Sequence, residues 1–300
     1  MSKTYLKYII LFFVLVISID FAVGKIYKRN FNNINFGDYG IINRSIKSKA
    51  DVLILGSSRA MHHYNPRIIS ESLKMTSYNG GVGGQGIFLN YAVLSERIKI
   101  KPPKVVILDL SPNVIVDKQS YSKLNLLLPY YHNYNSFKEI IQLNPDFSML
   151  ELISNMYIYN STIYHFVRSY FFTNNDINFG FEALNGQIEI NNYEPFFLEK
   201  EEVMDINKKR FLDKIINLCK DKNIELIGVT SPTYSKFDVQ NRIIDEMELI
   251  FNKNNFQFID YSNYLEFYQR PEYFKDQLHM NNQGAEIFSR HFSQKIEHGI

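Results

Sequence analysis

With 300 residues, 45% of them apolar, the chain is long enough to bury a full core. Its net charge of +2 is too small for the basic footprint of a nucleic-acid-binding protein, so no nucleic acid is expected as a partner. The single cysteine, Cys219, excludes an intrachain disulfide, and its place in the helical pattern Phe211–Cys219 reads as a packing thiol.

The N-terminus carries an address. Lys3 and Lys7 precede an apolar run from Tyr8 to Gly24, interrupted only by Ser18 and Asp20. That length sits at the lower limit for a spanning helix, roughly 17 residues. Two readings stand. One is an uncleaved anchor, with the rest of the chain outside the cytoplasm on the periplasmic or cell-surface side. The other is a signal peptide cleaved at the small residues Ala22-Val23-Gly24, which would release a secreted protein. The anchor is the expectation taken forward. Residues 1–24 are then the anchor or signal segment, 25–50 a polar, Asn-rich spacer, and 51–300 one domain.

Asp51–Gly56 is a short apolar run ending in glycine, the pattern of a buried parallel strand. Asn65-Pro66 starts a helix, with Asn as cap and Pro at the first helical position. A glycine-dense loop, Asn79–Gly86, leads to a helical pattern over 87–98. Further strands are predicted over 104–110, 224–230 and 256–260, with helices over 204–222, over 239–253 and from Asn281 onward. Strands alternating with helices predict an α/β fold with a parallel sheet covered on both faces. Residues at about 111–203 break the alternation. They are rich in Tyr, Asn and Phe, with helical stretches around 136–143 and 148–170, and read as a helical insertion capping the strand ends. Within it, the aromatic stretch Pro129–Tyr134 reads as core packing ahead of sugar stacking.

Sites in parallel sheets form at the carboxyl ends of the strands. Gly56-Ser57-Ser58 follows the first strand. Asp276 stands three residues before His279, ahead of the last helix. A serine, a histidine that can take its proton and a carboxylate that orients the imidazole are the parts of an acyl-transfer site. Arg59 beside the serine would contact an anionic group or anchor a loop. His62-His63 are adjacent and lack a Cys or His-x-x-x-His partner, so no metal is expected, and nothing calls for a cofactor.

These blocks, in this order and on these elements, resemble the SGNH/GDSL hydrolase family. Gly56-Ser57-Ser58 resembles its Gly-Asp-Ser block, with Ser57 in place of the aspartate. Asn79–Gly86 resembles its second block. Asp276–His279 with Asn281, Gly284 and Ala285 resembles its last. The third block departs: where the family has Gly-x-Asn-Asp, this chain has Asp109-Leu110-Ser111-Pro112-Asn113. The resemblance spans about 51–110 and 224–290. It implies a flavodoxin-like three-layer α/β/α fold and ester chemistry without metal. Ser58 would be the nucleophile, His279 the base and Asp276 its orienting group. The oxyanion would be held by the backbone N–H groups of Ser58 and Gly84 and by the Asn113 side chain, each donor worth on the order of 3 kcal/mol.

Family members cleave or transfer acyl groups on lipids, carbohydrates and cell-envelope polymers. With an extracytoplasmic anchor, the resemblance implies a serine esterase acting on an O-acyl group, first of all O-acetyl, of an envelope or exported glycan. Two alternatives stay open. One is an O-acyltransferase that uses the same site beside a membrane acyltransferase partner. The other is a non-catalytic glycan-binding or assembly module on the same fold.

Overall fold

The computed structural model describes residues 3–116, 119–172, 176, 178–189, 203–234 and 242–297. Parts of the expected insertion and the first residues of the helix expected over 239–253 lie outside the described residues. In chain order the elements are α1 (Lys3–Asn30), α2 (Gly37–Lys47), β1 (Val52–Leu55), α3 (Ser58–His63), α4 (Pro66–Leu73), β2 (Ser77–Asn79), α5 (Ile87–Ile100), β3 (Val105–Asp109), α6 (Pro112–Val116), α7 (Asn135–Ile141), α8 (Asn155–Tyr159), α9 (Ile163–Phe171), α10 (Ile206–Asp221), β4 (Glu225–Thr230), α11 (Arg242–Lys253), β5 (Gln257–Asp260) and α12 (Asn282–Glu297).

All five strands are parallel, in the order β2-β1-β3-β4-β5. This is the flavodoxin-like order. β1 and β3 are continuous apolar runs buried along their whole length, as strands covered on both faces must be. β2 and β5 are the edge strands, and β5 is half exposed. β2 reads Ser-Tyr-Asn and has no apolar run to announce it. It exists because its three residues pair with Val52–Ile54 of β1.

Alternate residues of each strand face opposite layers. Val52, Ile54, Val105, Ile107, Ile227, Val229 and Ile259 join Tyr64, Ile69, Phe288 and Phe292 in one core, against α3, α4 and α12. On the other side the rings of Phe88 and Tyr91 in α5 meet Phe211 of α10, and Gly228 of β4 lies against Phe251 of α11. The result is a three-layer α/β/α arrangement. The chain leaves β1 for β2 on one side and returns to β3 on the other. The carboxyl end of β1 is therefore the switch point at which such sheets form sites.

The chain divides into two compact units. Arg44–Ser120 and Asn175–Ile300 form the unit that holds the sheet. Met1–Asn43 and Tyr121–Asn174 form the other. In this second unit, residues 25–43, within the 25–50 segment expected as a spacer, carry the end of α1, a 3₁₀ turn and most of α2. Its core is aromatic. Phe31 is fully buried, edge-on to Tyr130 at 4.7 Å, and Tyr130 stacks on Phe137 at 4.4 Å. The Asn43 amide donates to the carbonyls of Phe31 and Ile34 and accepts from the Tyr130 hydroxyl. The helix expected over 148–170 is broken into short pieces. The hydroxyls of Ser148 and Ser154 each accept a backbone N–H and start a new segment. Among the described residues, one helix, within Thr4–Asn33, is long and apolar enough to cross a membrane, as an anchor or a signal sequence would.

Candidate active site

β1 ends at Leu55, and Gly56 turns the chain into α3. A Cβ on Gly56 would lie 2.6 Å from the Ala60 Cβ and 3.0 Å from the Asp109 Cβ, so only glycine lets α3 start this close to β3. Ser57 stands at the N-cap and Ser58 is the first helical residue. The Ser58 N–H therefore has no acceptor within its helix.

The last block forms a tight loop. Phe274 and Met280 pair across it as an antiparallel bridge, and the Lys275 N–H donates to the His279 carbonyl at 2.9 Å. Inside it, Asp276 Oδ1 accepts the backbone N–H groups of Leu278 and His279, each at 2.9 Å. Both carboxylate oxygens also face His279 Nδ1, at 3.0 and 2.9 Å. Burial pulls the Asp276 pKa upward, but the bonds from the His279 ring and from the Leu278 and His279 amides outweigh it, so the value lies below the ordinary one. An ionised carboxylate only accepts, so Nδ1 carries the ring proton and Nε2 keeps its lone pair. Ser58 Oγ lies 2.7 Å from that Nε2. The structure thus brings Ser58, His279 and Asp276 into one hydrogen-bonded chain, and a neutral imidazole in this tautomer can take the serine proton.

Gly84 lies in an exposed turn after β2, and Asn113 lies in α6 just beyond β3. Both are in segments that leave the carboxyl ends of the strands. Asn113 Oδ1 is buried without a hydrogen-bond partner among the described residues. Asn79, first residue of the second block, is a clamp. Its amide donates to the carbonyls of Ala60 and Tyr64, and its Oδ1 accepts the Gly81 N–H.

Behind the three residues lies a buried polar network. Arg59, 2% exposed, reaches the hydroxyl of Ser111 after β3 and both the hydroxyl and the carbonyl of Ser231 after β4. Its Nε is 3.8 Å from Asp109 Oδ1, and the Tyr64 hydroxyl donates to Asp109 Oδ2 at 2.8 Å. Arg59 therefore anchors strand ends. His63 links the network to the histidine loop. Its Nε2 accepts the Met280 N–H at 3.0 Å, so its Nδ1 carries the proton and donates to Ser231 Oγ, also at 3.0 Å. Burial first, and then the neighbouring Arg59 charge, hold the His63 pKa well below its ordinary value. Arg59 follows Ser58 and Met280 follows His279, so one network holds both halves of the site. Sequence reading missed His63 and Ser231 as partners, because no local pattern joins residues 168 positions apart. His62 stands at the site itself, its ring edge-on to His279 at 5.5 Å. Among the described residues, no group of three His, Cys, Asp or Glu side chains could hold a metal ion.

The His63 geometry sets a pH dependence. His63 is neutral in the fold and titrates near 6.5 when unfolded. Below that pH the unfolded chain binds the extra proton, so stability is full above 6.5 and falls as pH drops toward the lowered folded value. The slope contributed is at most about 1.4 kcal/mol per pH unit. His63→Gln should flatten the fall in unfolding free energy between pH 7 and pH 5.5, measured by urea titration at each pH. An unchanged slope would refute the neutral, buried state assigned to His63.

Comparison of the sequence with protein-family models and with curated proteins finds no match. Among solved structures, the chain is similar to a proposed acylhydrolase of Bacteroides fragilis. Identity is 12% and the TM-score 0.42, over 84% of this chain and 89% of that one. A likeness of that degree says nothing about activity.

Proposed function

We propose that this chain is a membrane-anchored serine esterase of the SGNH type. Its substrate would be an O-acyl group, first of all O-acetyl, on an envelope or exported glycan outside the cytoplasm. The observation that carries the chemistry is the chain from Ser58 Oγ to His279 Nε2 at 2.7 Å and from Nδ1 to both Asp276 oxygens. Ser58 Oγ attacks the acyl carbonyl carbon while its proton passes to Nε2. Asp276 stabilises the imidazolium that forms. The N–H groups of Ser58 and Gly84 and the Asn113 amide are the proposed donors to the tetrahedral oxyanion. Collapse breaks the ester C–O bond, and His279 returns the proton to the departing sugar hydroxyl. Water, deprotonated by the same histidine, then attacks the acyl-enzyme; the acyl–Oγ bond breaks, the acid leaves and His279 returns the proton to Ser58 Oγ.

The glycan and the compartment rest on the N-terminal helix and the family resemblance, and the ester chemistry rests on the three side chains. One experiment separates them. The detergent-solubilised full chain is treated with a fluorophosphonate probe, and the labelled peptide is mapped by mass spectrometry. Chromogenic acetyl ester turnover is measured in parallel, with and without an acetyl-accepting oligosaccharide. Label on Ser58 with turnover supports the esterase. Acetyl appearing on the oligosaccharide makes transfer the reaction. No label on Ser58 and no turnover would leave the fold as a binding module.

A further inference from the structure

α9 presents its most apolar stripe outward. Its Phe166 ring meets Tyr27 of α1 at 4.7 Å, and Ser169 Oγ accepts the Asn35 N–H. Ile163, Tyr164, Val167, Tyr170 and Phe171 follow helical spacing on another face, and all are exposed, Tyr170 at 79% and Phe171 at 71%. Met149, Leu150 and Ile153, on the segment that leads into α8, and Met156 within it are exposed as well. A cavity of about 510 Å³ opens between α9 and the end of α1 with the turn after it, walled by Ile26, Ile34 and Phe171 and by the polar Asn30, Asn33 and Ser169. Single exposed apolar residues are ordinary, but a stripe with a second cluster marks a surface that something covers.

Asp20 ties this surface to the apolar helix. Its Oδ1 accepts from the Ser154 hydroxyl at 2.7 Å and the Met156 N–H at 2.9 Å. Its Oδ2 accepts from the Asn155 N–H at 2.9 Å and the Asn155 amide at 3.0 Å. The one carboxylate in the apolar run thus caps α8 from a different helix. One turn on, a Cβ at Gly24 would fall 2.2 Å from the Asn155 Cβ, so glycine is what lets the two helices touch. Tyr27 then stacks on Tyr159 at 5.7 Å. α8 therefore runs beside α1 from Asp20 to Tyr27, with its exposed apolar residues at that level. Cleavage at Gly24 would remove the cap and cut this packing.

Length decides the depth. Tyr8–Gly24 makes about 26 Å of helix, already under the roughly 30 Å of a hydrocarbon core. Leaving Asp20–Gly24 outside the lipid would cut the span to about 18 Å. Asp20 lies five residues before Lys25, about 7.5 Å along the helix. That matches the roughly 5–10 Å to which interfacial helices sink. Exposed Lys25, Lys28 and Arg29 follow at headgroup level, and the three exposed tyrosines of α8 and α9, Tyr157, Tyr164 and Tyr170, suit the same zone. The geometry points to a lipid-seated platform: the exposed Met149, Leu150, Ile153 and Met156, beside Asp20–Gly24, are covered by the acyl chains of the bilayer that α1 crosses, while the exposed rings of α9, beside Ile26–Ile34, lie at the headgroup level. The inference rests on α1 being a retained anchor.

The chain has no tryptophan, so single-Trp reporters read cleanly. Phe12→Trp reports on α1, and Ile153→Trp and Met156→Trp report on the platform. Each full-length variant is reconstituted into phosphatidylcholine–phosphatidylglycerol vesicles with and without doxyl-labelled lipid. The platform reporters should lose emission to doxyl lipid about as strongly as Phe12→Trp and resist aqueous acrylamide. If Phe12→Trp is quenched by the lipid while both platform reporters answer only to acrylamide, the platform is wrong and the anchor stands. If no reporter answers to the lipid, the anchor fails and the platform falls with it.

Discussion

Ser58→Ala should lower kcat for acetyl ester hydrolysis by on the order of 10⁶-fold, the scale seen when the nucleophile of a serine triad is removed. The reason is positional. Ser58 Oγ is the hydroxyl that reaches His279 Nε2, at 2.7 Å. Ser57 sits one residue earlier at the N-cap, its side chain caps nothing, and it is nearly buried. Ser57→Ala should therefore change kcat only a few-fold on the scale of a lost local contact. Folding should survive both changes. Losing the Ser58–His279 bond removes about 1 kcal/mol, which thermal unfolding followed by circular dichroism can resolve. A Ser57→Ala variant that is dead while Ser58→Ala is active would move the nucleophile by one residue and overturn the proposed chemistry.

Asp276→Asn should cost about 10⁴-fold in kcat, the loss expected when the histidine is held in the wrong tautomer. The substitution is a clean probe here. An asparagine Oδ1 can still accept the Leu278 and His279 N–H groups that shape the loop. What it cannot do is offer two acceptors to Nδ1, so the ring no longer has to keep its proton there. Stability gives a second readout. The Asp276 pKa is lowered from 3.8, so its contribution is full above 3.8 and is lost as pH falls through the lowered folded value. Asp276→Asn should remove that share of the acid-side loss while leaving the neutral-pH fold in place. Near-native kcat in this variant would show that the pairing of Asp276 with His279 does not serve catalysis.

Much of this architecture is legible along the chain because its causes are local. A strand buried on both faces must be a continuous apolar run, so β1, β3 and β4 announce themselves. Asp276 and His279 share one turn, so their spacing carries their pairing. The Gly56 turn is likewise readable, because the glycine closes the apolar run of β1. β2 escapes notice because three residues of mixed polarity have no period, and only the neighbouring β1 makes them a strand.

What only the tertiary structure decides are the meetings across long sequence separations. Ser58 and His279 are 221 residues apart, and sheet order places both at one edge. Along the sequence Arg59 reads as an anion contact or loop anchor and His63 as one of two adjacent histidines; only the fold surrounds them with Ser231, Asp109 and the Met280 amide. Asp20 is the sharpest case. Along the sequence it is a flaw in an apolar run and an argument against a spanning helix. In the fold it is the cap of α8, 134 residues away. Composition and period determine the helices and the buried apolar strands, because those depend on neighbours within a turn or a pleat. The fate of a buried charge depends on which distant donors the fold delivers to it, and one-dimensional order does not encode that.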